Sequence, residues 1–538
     1  MIDAFKKTLR QSTKETRVLY ALTFTYIVST SIYTTLKHAT FETKAWDLGI
    51  FVQALWTTLY DGKFFYETPD LWISPSGSFF GVHFSPIMFL LLAIYGIVPS
   101  PYTLLVFQSI LFGLATVPAY YLAREILKND AKALLFSILY LVYPATIGAN
   151  LYDFHLEAFF PLIIFSALYY MEKKDWLKFY LTLIINLTIL DFASLLLTAS
   201  LLFYAIYIEN RRRILRLEPM DRKTLKFLTL STVVSATIIV SHYWIATTTI
   251  NSFGKKPMSE NSNWQYLGNS LTEIIIGMLH PNKIIASLSF DATTKAIWLI
   301  TLLIPLGFLP LYSKEKILLP APIIWLFLLS TYPPYYQLGY QYGAIYEALV
   351  IYTAIHGYKN TQTENAWTPW RIPSQLGELI EKANMLYRKM NTVRLYKVLL
   401  IVTLLVYTVG IATQYQNNVF IGPSYQDPIP IPNEHTKALE EALKLIPANA
   451  TVLAQNNIFP HLAHRTNIYT WIPIENLTKI DYAIADTTNP EYHAECPETN
   501  TTFYELFEKL YQLGYEKIYN KNGITILAKK HSPHYFTR

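Results

Sequence analysis

The run YTLLVFQSILFGLATVPAYYLA, residues 102–123, contains no charged side chain. At 1.5 Å per residue it is long enough to cross about 30 Å of hydrocarbon as a helix. Ten further blocks read the same way: 18–37, 133–148, 158–171, 177–190, 193–208, 225–247, 296–312, 317–332, 342–356 and 398–413. Composition agrees with them. Of 538 residues, 52% are hydrophobic and only 15% are charged, against about 25% charged in an ordinary soluble chain. The 41 Tyr and 11 Trp suit lipid–water boundaries. The expected fold class is mainly α, a polytopic helical membrane protein with about eleven transmembrane helices.

Orientation follows from where the cations sit. Lys and Arg cluster at 6–17, 124–132, 173–178, 211–226, 314–316 and 359–397, and with these spans all six clusters fall on one side. The opposite connections, 39–101, 151–156, 248–295 and 332–340, carry few. The N-terminus is therefore expected in the cytoplasm. Its basic start, Lys6, Lys7, Arg10, Lys14 and Arg17, precedes an apolar run with no small-residue cleavage site, which reads as an uncleaved first helix. An odd helix count sends 414–538 outside. Three glycosylation-type sequons, at Asn449, Asn476 and Asn500, all fall in that segment.

Two domains are expected: 1–413, a membrane body with a long first outer loop (38–101), and 414–538, a small extracytoplasmic α/β domain. In the second, 435–445 and 502–513 read as helices. The runs 451–454, 482–485 and 524–527 read as strands, the last after an Asn522-Gly523 turn. A single cysteine, Cys496, excludes an intrachain disulfide and any multi-cysteine zinc site.

The ionisable residues that could carry chemistry gather in the outer connections. In AWDLGIFVQALW, Asp47 opens an amphipathic helix, where it could equally cap the first turn. In HFSP, Ser85 is placed to cap a second short helix over 86–98, with Pro86 in its first position and His83 just ahead. In YDFHLEAFFP, Asp153, His155 and Glu157 fall within five residues between two apolar blocks. Charges so close to a bilayer are costly and usually have a task, although capping by Asp153 and a favourable dipole at Glu157 are alternatives. Asp191 interrupts an apolar stretch and could point into the same outer cavity. Lys255, Lys256 and Lys283 in a later outer loop are candidates for a lipid phosphate, or a solvated surface. Tyr335, Tyr336, Tyr340 and Tyr342 read most simply as an interfacial aromatic belt.

The succession WDLGIFVQALW (46–56), GVHFSPIMFLLL (81–92), NLYDFHLEA (150–158) and LIPANATVLAQNNIFPHLAHRTNIY (445–469) resembles the prokaryotic membrane family known as domain of unknown function 2079. The likeness runs from about 45 to 528. One departure stands out: where that family usually has a Lys-Glu-Asp-like triplet, this chain reads Ile189-Leu190-Asp191. The family in turn resembles the glycosyltransferase C (GT-C) superfamily, which includes protein O-mannosyltransferases and the lipid A aminoarabinose transferase. There an acidic residue follows the first span, and a His- or Lys-Pro-Pro-Leu motif opens a juxtamembrane helix. Asp47 and His83-Phe84-Ser85-Pro86 hold those positions, with Phe84 and Ser85 departing from the motif.

The resemblance implies a transferase that takes a sugar from a polyprenyl-phosphate donor to an acceptor at the outer face, with membrane lipid as partner and no nucleic acid. Asp47 would accept the acceptor's proton, and His83, His155 and the loop lysines would meet the leaving phosphate. Asp47, Asp153, His155 and Glu157 could alternatively converge on a divalent metal. Two other classes remain open. A transporter would use ionisable groups within the membrane, for which Asp191 and Glu347 are the candidates. A non-catalytic envelope scaffold or receptor could bind through Phe459-Pro-His-Leu-Ala-His-Arg465, unless His461 and Arg465 are plain surface residues.

Overall fold

The computed structural model describes residues 13–208, 210–215, 219–254, 263–362, 387, 390, 392–412, 430–488 and 502–530. Each of the eleven apolar blocks is helical over most of its described length, from Lys14–Ala39 to Thr392–Ala412. Fewer than eleven of these helices are, among the described residues, long and apolar enough to cross a membrane unbroken. Among the described residues, Pro101–Leu127 and Arg222–Ser252 are each long and apolar enough to cross a membrane. Two bent pairs, Asp130–Leu141 with Pro144–Leu151 (44°) and Pro281–Ser289 with Ala292–Leu306 (81°), could each supply another.

Proline explains much of the difference. It lacks the amide N–H and clashes with the preceding turn, so it ends or bends a helix that hydropathy reads as continuous. Pro144 restarts the chain after Leu141, and Pro305, Pro310 and Pro320 divide 292–328 into short α and 3-10 pieces. The outward surface nevertheless suits lipid. On Arg222–Ser252, Leu230, Val233, Val240 and Trp244 are each more than half exposed, an apolar face that water would penalise.

The Pro144–Leu151 helix meets 338–339 backbone to backbone. A Cβ added at Gly148 would sit 1.7 Å from the Leu338 carbonyl oxygen, which no side-chain rotation relieves. Gly148→Ala is expected to lower stability by about 1–3 kcal/mol through overpacking. Gly96→Ala, whose new atom would meet nothing closer than 3.7 Å, should be close to neutral. Equilibrium unfolding in mixed micelles compares them, and equal stabilities would refute the close approach.

The C-terminal segment folds around a five-stranded sheet. Its strands are β1 (Val452–Ala454), β2 (Ile468–Tyr469), β3 (Tyr482–Asp486), β4 (Glu516–Lys521) and β5 (Ile524–Ala528), in the order β2-β1-β3-β5-β4. The β2-β1-β3 part is parallel and the β3-β5-β4 part antiparallel. The expected strands are β1, β3 and β5. The polar EKIYNK strand β4 joins through an Asn522-Gly523 turn with both φ positive, as a tight hairpin requires. Helices Glu434–Leu443 and Phe503–Gln512 both start with capping boxes, at Asn433 and Thr502.

This segment is anchored on the helical body. The Ala45 amide donates to Asn456, Gln53 Nε2 donates to the Arg465 and Thr466 carbonyls (both 3.1 Å), and the Tyr95 hydroxyl meets His464 Nε2 at 2.7 Å. The Phe459 ring closes directly over Gly49, and His461 stacks between His38 and Phe41. The Phe459–Arg465 motif is therefore an internal joint. The half-buried His461 ring is stacked on both faces with its Nε2 enclosed, and Arg465 donates to the carbonyls of Leu462, Pro447 and Ala450, so both are committed to the joint.

Candidate functional site

Connecting segments and residues of four helices, Ile50–Tyr60, Asp191–Phe203, Ala321–Leu328 and Gly343–Thr361, line a cavity of about 350 Å³, within the range of small-molecule sites. Asp47, His83, His155, Glu157 and Asp191 all line it, as does Asp70. Four of the five proposed catalytic residues thus come together from three separate segments. Asp153 does not join them.

The geometry is held from below by Gln108, the polar residue in the middle of the first apolar run. Its Oε1 accepts the His155 amide (2.9 Å), while its Nε2 donates to the Asn150 and Asp153 carbonyls (3.0 and 3.2 Å). A buried amide satisfied on both sides fixes a loop that would otherwise expose its backbone to hydrocarbon. Asp153 completes the frame. Its carboxylate pairs with Lys37 (3.0 Å) and accepts the Lys44 amide (2.6 Å), tying the end of the first helix to the entry of the Asp47 segment. It caps no helix, because both of its oxygens are turned to Lys37 and the Lys44 amide.

Asp47 lies inside a wide turn, Ala45–Gly49, that leads into the Ile50–Tyr60 helix, and it caps nothing either. Its Oδ1 is 3.1 Å from His155 Nε2, and its Oδ2 accepts the Tyr152 hydroxyl at 2.8 Å. Burial alone would lift this carboxyl. The hydrogen bond and charge of His155, followed by Lys44 and Tyr152, outweigh burial and hold it below its ordinary range. For His155, burial would depress the imidazole, but the bond to Asp47 and the charges of Asp47 and Glu157 push it up to about 9. Both shifts run in the direction that favours the ion-paired form of this contact.

Glu157 faces the same space with its pKa raised, burial outweighing the pull of His155, its own amide and His83. On the opposite wall His83 Nδ1 meets Asp191 Oδ1 at 3.1 Å, both partly exposed. Ser85 does not cap the following helix, which runs Met88–Ile97; its hydroxyl is buried without a hydrogen-bond partner. Tyr332, Tyr335, Tyr340 and Tyr342 close the cavity, so the tyrosines expected in a belt are largely site walls. Tyr336 is elsewhere, under the Lys295 ammonium.

Lys283 is away from this cavity, donating to the Leu267 carbonyl (3.0 Å), and Lys255 and Lys256 lie outside the described residues. Among the described residues the lining contains no Lys or Arg, so the basic side chains it offers are histidines. The four proposed metal ligands do not converge. Among the described residues no three His, Cys, Asp or Glu side chains are placed to hold one ion, with Asp153 turned away to Lys37. Glu347 is sealed inside the helices, accepting from Thr146 (2.8 Å), and does not line the cavity. Asp70 and Tyr152 are site residues that the sequence reading passed over. Asp70 sits in ETPD with only turn chemistry to mark it, whereas Tyr152 stood inside the recognised YDFHLE string.

The Asp47–His155 pair predicts a pH signature. Because Asp47 is held low, its share of stability is complete above the ordinary carboxylate range and lost as pH falls through its depressed pKa. Because His155 is raised, its share is complete below 6.5 and lost as pH rises through about 9. The stability difference between wild type and His155→Gln should peak near pH ~5.5 and shrink towards the His155 pKa. A difference that does not change with pH would show that no such pair exists.

The model of the family described as "Predicted membrane protein (DUF2079)" matches residues 37–526. The chain belongs to the DUF2079 family. That match takes in every lining residue of the cavity and all five strands of the sheet except the last two residues of β5. No curated protein matches this DUF2079 chain in sequence. A similar solved structure is ArnT from Cupriavidus metallidurans bound to undecaprenyl phosphate. It is 12% identical, with a TM-score of 0.48, covering 94% of this chain and 97% of that one.

Proposed function

We propose that this DUF2079 protein is a GT-C-type glycosyltransferase, moving a sugar from a polyprenyl-phosphate donor to an acceptor hydroxyl at the extracytoplasmic face. The observation that carries the reading is Asp47 Oδ1 held 3.1 Å from His155 Nε2 in one cavity that His83 and Glu157 also line. In the proposed step the acceptor oxygen attacks the anomeric carbon from the side opposite the phosphate. The carbon–oxygen bond to phosphate breaks and its electron pair leaves with the phosphate. The acceptor's proton passes to Asp47.

An aspartate held low by a cation is a weak base at rest. A donor phosphate that draws the imidazolium of His155 to itself would release Asp47 from that bond and raise its basicity when the acceptor arrives. His155, with His83 opposite, would then stabilise the charge growing on the leaving phosphate. Tyr332, Tyr335, Tyr340 and Tyr342 offer ring faces and hydroxyls for a sugar.

The same reading sets the topology: about eleven spans, several of them broken, with the N-terminus in the cytoplasm, as the basic clusters argue. The body would be 1–413, and the 414–538 domain would cover the site from outside. The test is transfer from a radiolabelled polyprenyl-phosphate sugar to membrane acceptors by the full-length protein and its Asp47→Asn variant. Transfer unchanged in the variant would remove Asp47 as the base.

A further inference from the structure

A second cavity, about 690 Å³, lies at the far end of the helical body. Three helices run between the two cavities. Phe159–Glu172 starts beside Glu157 and ends with Glu172 in the second lining. Asp191–Phe203 starts in the first lining and leads through Tyr204–Ile208 to Arg211. Gly343–Thr361 starts at Tyr342 and brings His356 to Glu172.

Among the described residues its lining is positive: Lys174, Arg211, Arg213, Lys223 and Lys316 contribute cations, and Glu172 a carboxylate. That carboxylate is already engaged, accepting from the Tyr352 hydroxyl (2.6 Å) and meeting His356 Nε2 at 2.9 Å. Arg211 also meets Glu315 at 3.3 Å. The cations come from four separate stretches of chain, and holding them around one hollow costs mutual repulsion that a bound anion would relieve.

Met171, Trp176, Ala205 and Phe227 give the lining an apolar part, with the Trp176 and Phe227 ring centroids 5.4 Å apart, and Asn210 and Thr224 complete it. The helices bearing these rings turn Leu177 (72% exposed), Leu181, Leu225 and Leu230 outward, so the hollow opens beside a lipid-facing surface. A phosphate with an attached hydrocarbon chain fits both halves of this wall. Free phosphate would use only the charged half.

We propose that this cavity binds the phosphate headgroup of an anionic membrane lipid, as a site separate from the Asp47 cavity. The inference does not depend on the transferase reading. Arg213 and Lys223 are exposed, so Arg213→Ala/Lys223→Ala should leave the fold intact.

Native mass spectrometry of the full-length protein, exchanged into micelles doped with phosphatidylglycerol, reads the bound lipid directly. Each juxtamembrane cation contributes about 1 kcal/mol to anionic-lipid binding, so the double variant should bind about thirtyfold more weakly. Arg213→Lys/Lys223→Arg should bind close to wild type, and Lys128→Ala, a cation outside the cavity, should change nothing. Undiminished lipid binding by the double alanine variant overturns the proposal. So does displacement of the lipid by millimolar inorganic phosphate, which would make the ligand the free anion.

Discussion

Asp47→Asn is expected to lower transfer by roughly a hundredfold to ten-thousandfold, the usual contribution of a positioned proton acceptor. Asparagine keeps the size of the side chain and can still accept the Tyr152 hydroxyl, so the Ala45–Gly49 turn should hold its shape. The variant loses the negative charge, and with it the partner that keeps His155 protonated. The defect should therefore appear in the turnover number at saturating donor. Its pH profile should also change, because the His155 limb near 9 moves down once the carboxylate is gone. Asp47→Glu, which restores the charge at a longer reach, should recover part of the rate. Wild-type turnover with an unshifted profile would place the chemistry elsewhere in the cavity.

Lys37→Met should be the most destabilising single change near the site. Lys37 and Asp153 are 3% and 1% exposed, 3.0 Å apart, and removing one member of a buried pair costs about 3–5 kcal/mol because the other charge is stranded. The damage should spread into function, since Asp153 also holds the Lys44 amide three residues before Asp47. Lys37→Met/Asp153→Asn is the informative partner: a neutral amide can still accept from Lys44 without needing a cation. It should recover much of the loss in equilibrium unfolding in mixed micelles. A single variant as stable as wild type, or a double variant no better than the single, would mean that the pair does not hold the frame.

The two residues of that frame show where sequence reading stops. Asp153 stands out in the sequence because a carboxylate next to apolar blocks is costly, and the cost argument selects it together with His155 and Glu157. The argument cannot say what settles the cost. For Asp153 it is Lys37, more than a hundred residues earlier in a helix that reads as an ordinary first span. For Asp47 it is His155, from a different loop. Gln108 shows the same limit from the other side, as one polar residue in an uncharged run, invisible to hydropathy, that fixes the backbone of the loop carrying His155.

Hydropathy determined that this chain is a membrane protein whose apolar blocks are helical, and strand and turn chemistry located three of the five strands of the C-terminal sheet. These are local properties, set by side chains within one turn or one hairpin of each other. The tertiary structure alone decided that prolines break some of the expected spans, that Phe459–Arg465 is a joint packed on the helical body, and that Asp153 stands behind the site while Asp191 and Asp70 stand in it. Each of those outcomes depends on contacts between residues far apart in the chain, and a pairing of that kind leaves no mark on the sequence around either partner.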